Sequence, residues 1–279
     1  MPELPEVETV CRGLAKALTG AKILHADVRR PDLRFPLPKN LAAQLKSRNI
    51  ESVTRRAKYI VMALDNQQSL LLHLGMSGRM VITHHATPPE KHDHLIFTFD
   101  NGAIVRFNDP RRFGMCDLVV TDTLDDHKLL RHLGVEPLKN QFTPAYLTEK
   151  FYNKKTSVKE ALLDQRVVVG VGNIYASEAL FHAGINPQRR AGACTVDQVA
   201  RLVPAITRVL KKAIAAGGSS LRDYVQADGE LGNFQKRFAV YDREELPCSG
   251  CTCDITKTGG VQRITQGGRS SFYCATKQK

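Results

Sequence analysis

No stretch of the 279-residue chain approaches the roughly 18 to 20 consecutive apolar residues that a membrane-crossing helix needs. A signal peptide is missing as well: Met1-Pro2-Glu3-Leu4-Pro5-Glu6 is acidic where a basic start and an apolar run are required. A cytoplasmic location is therefore expected. Internal repeats are absent. Glycine (20) and proline (13) are too sparse for a collagen-like or low-complexity chain, and 42% hydrophobic residues exclude intrinsic disorder. Cysteine is scarce and odd in number (7), which speaks against a disulfide framework. Acidic residues are in deficit. Forty Lys and Arg against 28 Asp and Glu leave a net charge of +12, as expected for a partner that is a polyanion, most simply nucleic acid; an inert basic surface is the alternative. What remains is a chain long enough for a real core and for two or three modules.

The hydrophobic pattern divides it. Val7, Val10, Cys11, Leu14 and Leu18 repeat at helical spacing behind Pro5 and Glu6, and Gly20 ends the run. The period then falls to two in short runs rich in β-branched and aromatic residues: Ile23–Val28, Ile50–Thr54, Lys58–Leu64, Ser69–Leu74, Met80–Thr83, Leu95–Phe99, Ala103–Phe107 and Met115–Val120. Asn101-Gly102 predicts a two-residue hairpin turn. Strands this short and close together predict an antiparallel sandwich or barrel. From about residue 122 the pattern is helical, with Thr143-Pro144, Thr156, Asn173 and the Thr195/Gln198 pair as N-terminal caps. Pro204 predicts a kink or two abutting helices. The tail from about Phe238 is Gly-rich, Cys-rich and strand-like, too small to fold without help. The fold class is therefore α+β.

Four features could carry chemistry. Pro2, once Met1 is removed, is a secondary amine; attack on an aldehyde-like carbon would give an iminium, cationic at any pH. Terminal amines also ionise near pH 8 rather than the roughly 10.4 of lysine. Glu3 and Glu6 beside it could shuttle protons, although a Met-Pro start by itself is common. Arg55-Arg56-Ala57-Lys58-Tyr59 is a basic cluster entering a strand, suited to phosphate contact or to plain solvation. Asp109-Pro110-Arg111-Arg112-Phe113-Gly114 pairs guanidiniums with an aromatic, as a wedge into a base stack would, or as a turn packed under a hairpin. Cys248-x2-Cys251 with Cys274 resembles a zinc ribbon. A second C-x-x-C pair starting at Cys274 would need a cysteine at Lys277, and Cys253 is the spare thiol nearby.

Together these segments resemble one family. Pro2-Glu3-Leu4-Pro5-Glu6-Val7-Glu8-Thr9-Val10, Arg56-Ala57-Lys58-Tyr59, His73-Leu74-Gly75-Met76-Ser77-Gly78, Lys91-His92-Asp93-His94, Asp109 to Gly114, Val169 to Ala176 and Gly268 to Cys274 are similar, in order, to the motifs of bacterial formamidopyrimidine-DNA glycosylases. The resemblance implies a β-sandwich catalytic domain flanked by helices (1–135), a helix–two-turns–helix DNA-binding domain (136–237) and a zinc-ribbon-like hairpin (238–279). It implies a base-excision-repair enzyme acting as a monomer on double-stranded DNA with oxidised purines or abasic sites, in a bacterial cytoplasm on the nucleoid. Such an enzyme excises the base and cuts the strand by β- and δ-elimination.

By the same resemblance Pro2 is the nucleophile and Glu3 its acid–base partner, Lys58 serves β-elimination and Arg269 δ-elimination. Met76, Arg111 and Phe113 fill the gap left by the flipped base. His92, Lys155 and Asn173 contact phosphates, and Glu6 and the loop around Asn233-Phe234 hold the base. One structural zinc is implied, with Cys248, Cys251 and Cys274 matching three family ligands. The fourth is Cys253 in place of Lys277, the alternatives being a three-cysteine site or a finger without zinc. Two other readings compete. An endonuclease VIII-like enzyme for oxidised pyrimidines ordinarily begins Pro-Glu-Gly-Pro-Glu, where this chain has Leu4. A non-catalytic DNA-binding relative would have no need of Pro2, Glu3, Lys58 and Arg269 together.

Overall fold

The structure is a computed structural model that describes residues 1–221, 224–250 and 252–279. The chain forms two compact units, residues 1–131 with 214–233, and residues 132–213 with 234–279.

The first unit opens with helix α1 (Leu4–Leu18), started by Pro5 in its first turn and by reciprocal capping between Glu3 and Glu6. Its stripe of Leu4, Val7, Val10, Leu14 and Leu18 is buried. Strands β1 (Ile23–Val28), β2 (Ile50–Arg56), β3 (Tyr59–Leu64), β4 (Gln68–His73), β5 (Arg79–Thr83), β6 (Asp93–Phe99), β7 (Ile104–Asn108) and β8 (Met115–Val120) follow, with a short helix α2 (Leu41–Leu45) that the hydrophobic pattern did not announce. They form two antiparallel four-stranded sheets, ordered β1-β6-β7-β5 and β2-β3-β4-β8. Side chains of both sheets and of α1 share one core, from Leu14 and Leu18 to Leu70, Leu72, Phe97 and Phe107. Burying such side chains is worth about 1.5–3 kcal/mol each, which is what holds the two sheets together.

Two local expectations change. The turn after β6 has three residues, not two: Phe99 N–H donates to Ala103 O, and only Gly102 of the Asn101-Gly102 pair has positive φ (+83°). A two-residue type I′ turn needs positive φ at both centres, so Gly102 instead supplies the single left-handed residue of a longer loop. Lys58, expected to begin a strand, sits in the tight Ala57-Lys58 turn, since Arg56 pairs with Tyr59.

The second unit holds α3 (Pro144–Phe151), α4 (Val158–Leu163) and α5 (Asn173–Ala183), most of α6 (Val196–Ala215), a single turn α7 (Ile255–Thr258), and a hairpin of β9 (Gln262–Gln266) and β10 (Arg269–Tyr273). Thr143 caps α3 and the Thr195/Gln198 box caps α6 as expected. The α4 cap is Ser157 rather than Thr156, because only from Ser157 does the hydroxyl reach the N3 amide of Glu160. The α5 cap is Gly172, which leaves the Asn173 side chain free for another task. Pro204 does not break α6. It lies with Ala200 on the exposed face, where the carbonyl that loses its partner can meet water, while Leu202, Val203, Ile206, Val209 and Leu210 bury the other side.

Candidate functional site

In the first unit the start of α1 gathers the predicted acid–base groups. Met1 is half-exposed, whereas Pro2, Glu3 and Glu6 are buried. One oxygen of Glu6 accepts the Glu3 amide (2.9 Å) and the other accepts the Ser219 amide (2.8 Å). The first turn of a helix carries unsatisfied N–H groups and a positive dipole end, so a carboxylate there is stabilised and its two oxygens are aimed.

Lys58 is buried in a turn whose first residue, Ala57, has a left-handed backbone (φ +54°). Arg55 braces that turn by donating to Ala57 O (2.8 Å) and to Glu8 of α1 (2.9 Å). Burial raises the Glu8 pKa, but the bonds and charges of Arg55 and Arg12 outweigh it and the net shift is downward. Lys58 also acts on His73. Burial first, then the positive charges of Lys58 and Arg34, lower the His73 pKa to about 4. The neutral ring accepts the Gly75 amide at Nδ1 (2.9 Å), which leaves Nε2 as the donor.

The loops that carry Met76, Arg111 and Phe113, the residues expected to act as a wedge, are brought together by Asp109. This fully buried carboxylate accepts Ser77 Oγ–H (2.7 Å) and the Gly114 amide (2.7 Å), and its own N–H donates to His92 O (3.0 Å). Ser77 Oγ in turn accepts the Arg111 amide (3.2 Å). A Cβ at Gly75 (φ +63°) would collide with the Phe113 backbone, so the two loops touch main chain to main chain. Their tips present Met76 (39% exposed) and Phe113 (44% exposed), with the Arg111 guanidinium 4.9 Å above the Phe113 ring. Large apolar side chains held outward by buried hydrogen bonds are a surface shaped for contact. His92 is half-buried at the start of β6.

In the second unit Arg269 is exposed where a Gly267-Gly268 turn with both φ values positive hands over to β10. Beside it, Ser270 O accepts two side-chain donors, Asn173 Nδ2 (2.9 Å) and Lys159 Nζ (2.9 Å). Asn173 Oδ1 is buried without a hydrogen-bond partner. Lys159 is 1% exposed and also donates to Ser271 Oγ (2.6 Å). Lys155 is exposed on the α3–α4 connection. Asn233, in the first unit, is exposed. Phe234 is buried, its ring 5.8 Å from those of Tyr175 and Phe238.

The thiols of Cys248, Cys253 and Cys274 lie within 4.8 Å of one another, as ligands of one ion would. Cys251 lies outside the described residues. Lys277 leaves the cluster: its ammonium sits 4.1 Å over the Phe181 ring, and only its backbone N–H reaches Cys274 Sγ (3.4 Å). A protonated amine cannot ligate a metal, and this one has an aromatic partner instead.

Two family models match the chain. Residues 1–116 match the formamidopyrimidine-DNA glycosylase N-terminal domain and residues 133–225 the formamidopyrimidine-DNA glycosylase H2TH domain. The formamidopyrimidine-DNA glycosylase of Roseobacter denitrificans is 55% identical with all of both chains covered, and that of Ruegeria pomeroyi 54%. The chain belongs to the formamidopyrimidine-DNA glycosylase family. Among solved structures of the family, the MutM (Fpg) protein of Thermus thermophilus superposes with a TM-score of 0.87 at 37% identity, covering 99% of this chain and 98% of that one. Lactococcus lactis Fpg in complex with DNA containing an abasic site superposes at 0.90 and 32% identity, covering 99% of each.

Within this glycosylase scaffold, several residues escaped the sequence reading. Glu178 accepts the amides of Ala239, Val240 and Tyr241 at 2.8–2.9 Å and so ties the approach to the hairpin to α5. Burial raises its pKa against the pull of those three bonds. A lone Glu in the apolar run Tyr175–Phe181 was the available signal. Lys159 had none, because lysine at a helix position reads as surface. Arg55 and Asp109 stood inside quoted motifs, yet their roles depend on which distant groups they meet. Among the described residues no helix is long and apolar enough to cross a membrane.

Proposed function

We propose that the chain is a bifunctional DNA glycosylase and abasic-site lyase of base excision repair, acting on double-stranded DNA that carries oxidised purines. Lactococcus lactis Fpg structures hold DNA containing Fapy-dG or an abasic site, which supports that substrate class. The observation that carries the reading is the start of α1, where Pro2, Glu3 and Glu6 are buried together and both Glu6 oxygens are aimed by backbone amides.

Removal of Met1 exposes the Pro2 secondary amine. Its lone pair attacks the sugar C1′ as the base departs with a proton; the amine then gives up its own proton, Glu3 protonates O4′, and the C1′–O4′ bond breaks to leave an open-chain iminium. The iminium acidifies C2′–H; loss of that proton breaks C3′–O3′, and a second elimination breaks the bond at C5′. Lys58, in its braced turn, donates a proton and binds phosphate in the first elimination, and Arg269 does so in the second. Extruding a stacked base costs a few kcal/mol, which Met76, Phe113 and Arg111 offset by filling the gap, with Arg111 bonding the orphaned cytosine. His92, Lys155 and Asn173 take phosphates, while Glu6, Asn233 and Phe234 form the base-holding region. In this reading residues 1–135 are the catalytic module, 136–237 the DNA-binding module and 238–279 the hairpin module, working as a cytoplasmic monomer.

One zinc, held by Cys248, Cys251, Cys253 and Cys274, would brace the hairpin and take no part in bond breaking. Three clustered thiols support this ligand set.

Borohydride added during reaction with abasic DNA should trap a covalent adduct on the Pro2 peptide, read by mass spectrometry. An N-terminal tag left in place should abolish trapping while largely sparing DNA binding. An adduct mapped to a lysine would overturn the assignment of Pro2.

A further inference from the structure

We infer that Gly13, in the middle of α1, is a positioning residue that sets the base-holding region by admitting Ala227. This rests on the reading that Glu6 and its partners hold the extruded base. Glycine inside a helix is unfavourable, so a reason is needed, and the packing supplies one. A Cβ at Gly13 would lie 2.7 Å from Ala227 Cβ, closer than two carbons can approach.

Ala227 belongs to a stretch whose described residues, 217–221 and 224–233, are bonded to one another at several points. Tyr224 O–H donates to Gly217 O (3.1 Å), Ser220 Oγ–H to Tyr224 O (2.9 Å), and the Gly232 amide to Ser220 Oγ (2.9 Å). A Cβ at Gly232 would strike Gly218 O, so the two ends of the segment touch backbone to backbone. The stretch is pinned at two points. At one end the Ser219 amide donates to Glu6. At the other Ala227 is buried against Gly13, and Ala227 O accepts the Ile82 amide at 2.7 Å. Strand β5 is an edge strand, so this bond anchors the segment to the open side of the sheet.

Glu6 and Gly13 are seven residues apart on one helix, about 10 Å at the usual rise. A side chain at Gly13 would push Ala227 outward, and the bonds among Tyr224, Gly217, Ser220 and Gly232 would carry the push to Ser219 and its bond to Glu6. Excision needs the base held; cleavage at a site that has already lost its base does not. Gly13 therefore acts on damage selection and not on the lyase chemistry.

The test compares Gly13→Ala, Ala227→Gly, the double variant and Ile82→Pro, each checked for an intact thermal unfolding transition. A proline in an edge strand removes the donor to Ala227 O and keeps the ladder. Gly13→Ala is expected to lower kcat/KM for excision of an oxidised guanine about tenfold or more, the scale of overpacking strain. Cleavage of preformed abasic sites should stay within about twofold, as for an uncoupled site. Ala227→Gly in the same chain should restore excision, because it removes the methyl that Gly13→Ala meets. Ile82→Pro should show the same selective loss with no rescue by Ala227→Gly, and it carries the test should Gly13→Ala fail to fold. Amide hydrogen exchange at Ser219 should speed up in Gly13→Ala and recover in the double variant. Parallel loss on both substrates, absence of rescue, or unchanged exchange would overturn the inference. A wild-type chain that cleaves abasic sites but excises no oxidised purine would instead overturn the substrate reading on which it rests.

Discussion

At the scale of single residues, His73 shows how a side chain named only as part of a motif becomes a device. It ends β4, lies 4.9 Å from the Tyr59 ring and accepts the amide of Gly75, the residue before the exposed Met76. Its pKa is held at about 4 by burial first and by neighbouring cations second, against 6.5 in an unfolded chain. Between those values the unfolded chain binds a proton that the folded chain refuses, so stability rises with pH through this window. The contribution is fully present above about pH 6.5 and lost as pH falls towards 4. One proton gives a slope of about 1.4 kcal/mol per pH unit, or about 3 kcal/mol across the window. Urea unfolding at pH 7 and pH 4.5 should show His73→Asn less sensitive to acid than the wild type. Equal acid sensitivity in the two chains would mean that His73 is not the proton acceptor.

At the scale of elements, the C-terminal hairpin is the part least able to stand alone. Its apolar cluster is small, built from Phe181, Val240, Val261 and Phe272 around Cys248 and Cys274, and a segment of this size ordinarily folds only with a metal or a disulfide. The short α7 begins two residues after Cys253 and is capped by the Asp254 carboxylate, which accepts the Thr256 N–H (3.0 Å). Protein purified without chelator should carry one zinc per chain. Cys253→Ser should lose it to a chelator faster than the wild type, with a lower Tm, while Lys277→Ala should keep it. A full zinc equivalent with unchanged chelator resistance in Cys253→Ser would remove Cys253 from the ligand set.

At the scale of the whole molecule, the +12 charge is the property that matters for a DNA partner. Each phosphate neutralised releases counterions, so log K falls with log salt by about 0.9 per contact. Lys155→Ala should weaken binding to abasic-site DNA on all sequences alike and reduce that slope by about one, measured between roughly 50 and 200 mM salt. An unchanged slope would place Lys155 off the phosphate path. Excess positive charge of this kind speaks to association and not to fold, which is why composition pointed to a polyanion and said nothing of two sheets.

The sequence by itself determined most of the elements and the chemical inventory. Period-two runs became eight strands and period-3.6 runs became helices, because side-chain alternation is a local consequence of backbone geometry. The Pro2-Glu3 start and the Asp109–Gly114 turn were legible for the same reason: their chemistry is carried by neighbours in the chain. Caps were legible to within a residue, and Ser157 displaced Thr156 because only geometry decides which hydroxyl reaches an amide. The tertiary structure alone decided which distant groups meet. It placed Glu8 on Arg55, Ser219 on Glu6, Lys159 and Asn173 on one carbonyl, and Ala227 against Gly13. It also turned Lys277 onto an aromatic ring and Cys253 towards two other thiols. These pairings span up to 214 residues of chain, from Gly13 to Ala227. Hydrogen bonds, charges and van der Waals contacts act over a few ångströms, so no local pattern encodes them until the core has closed.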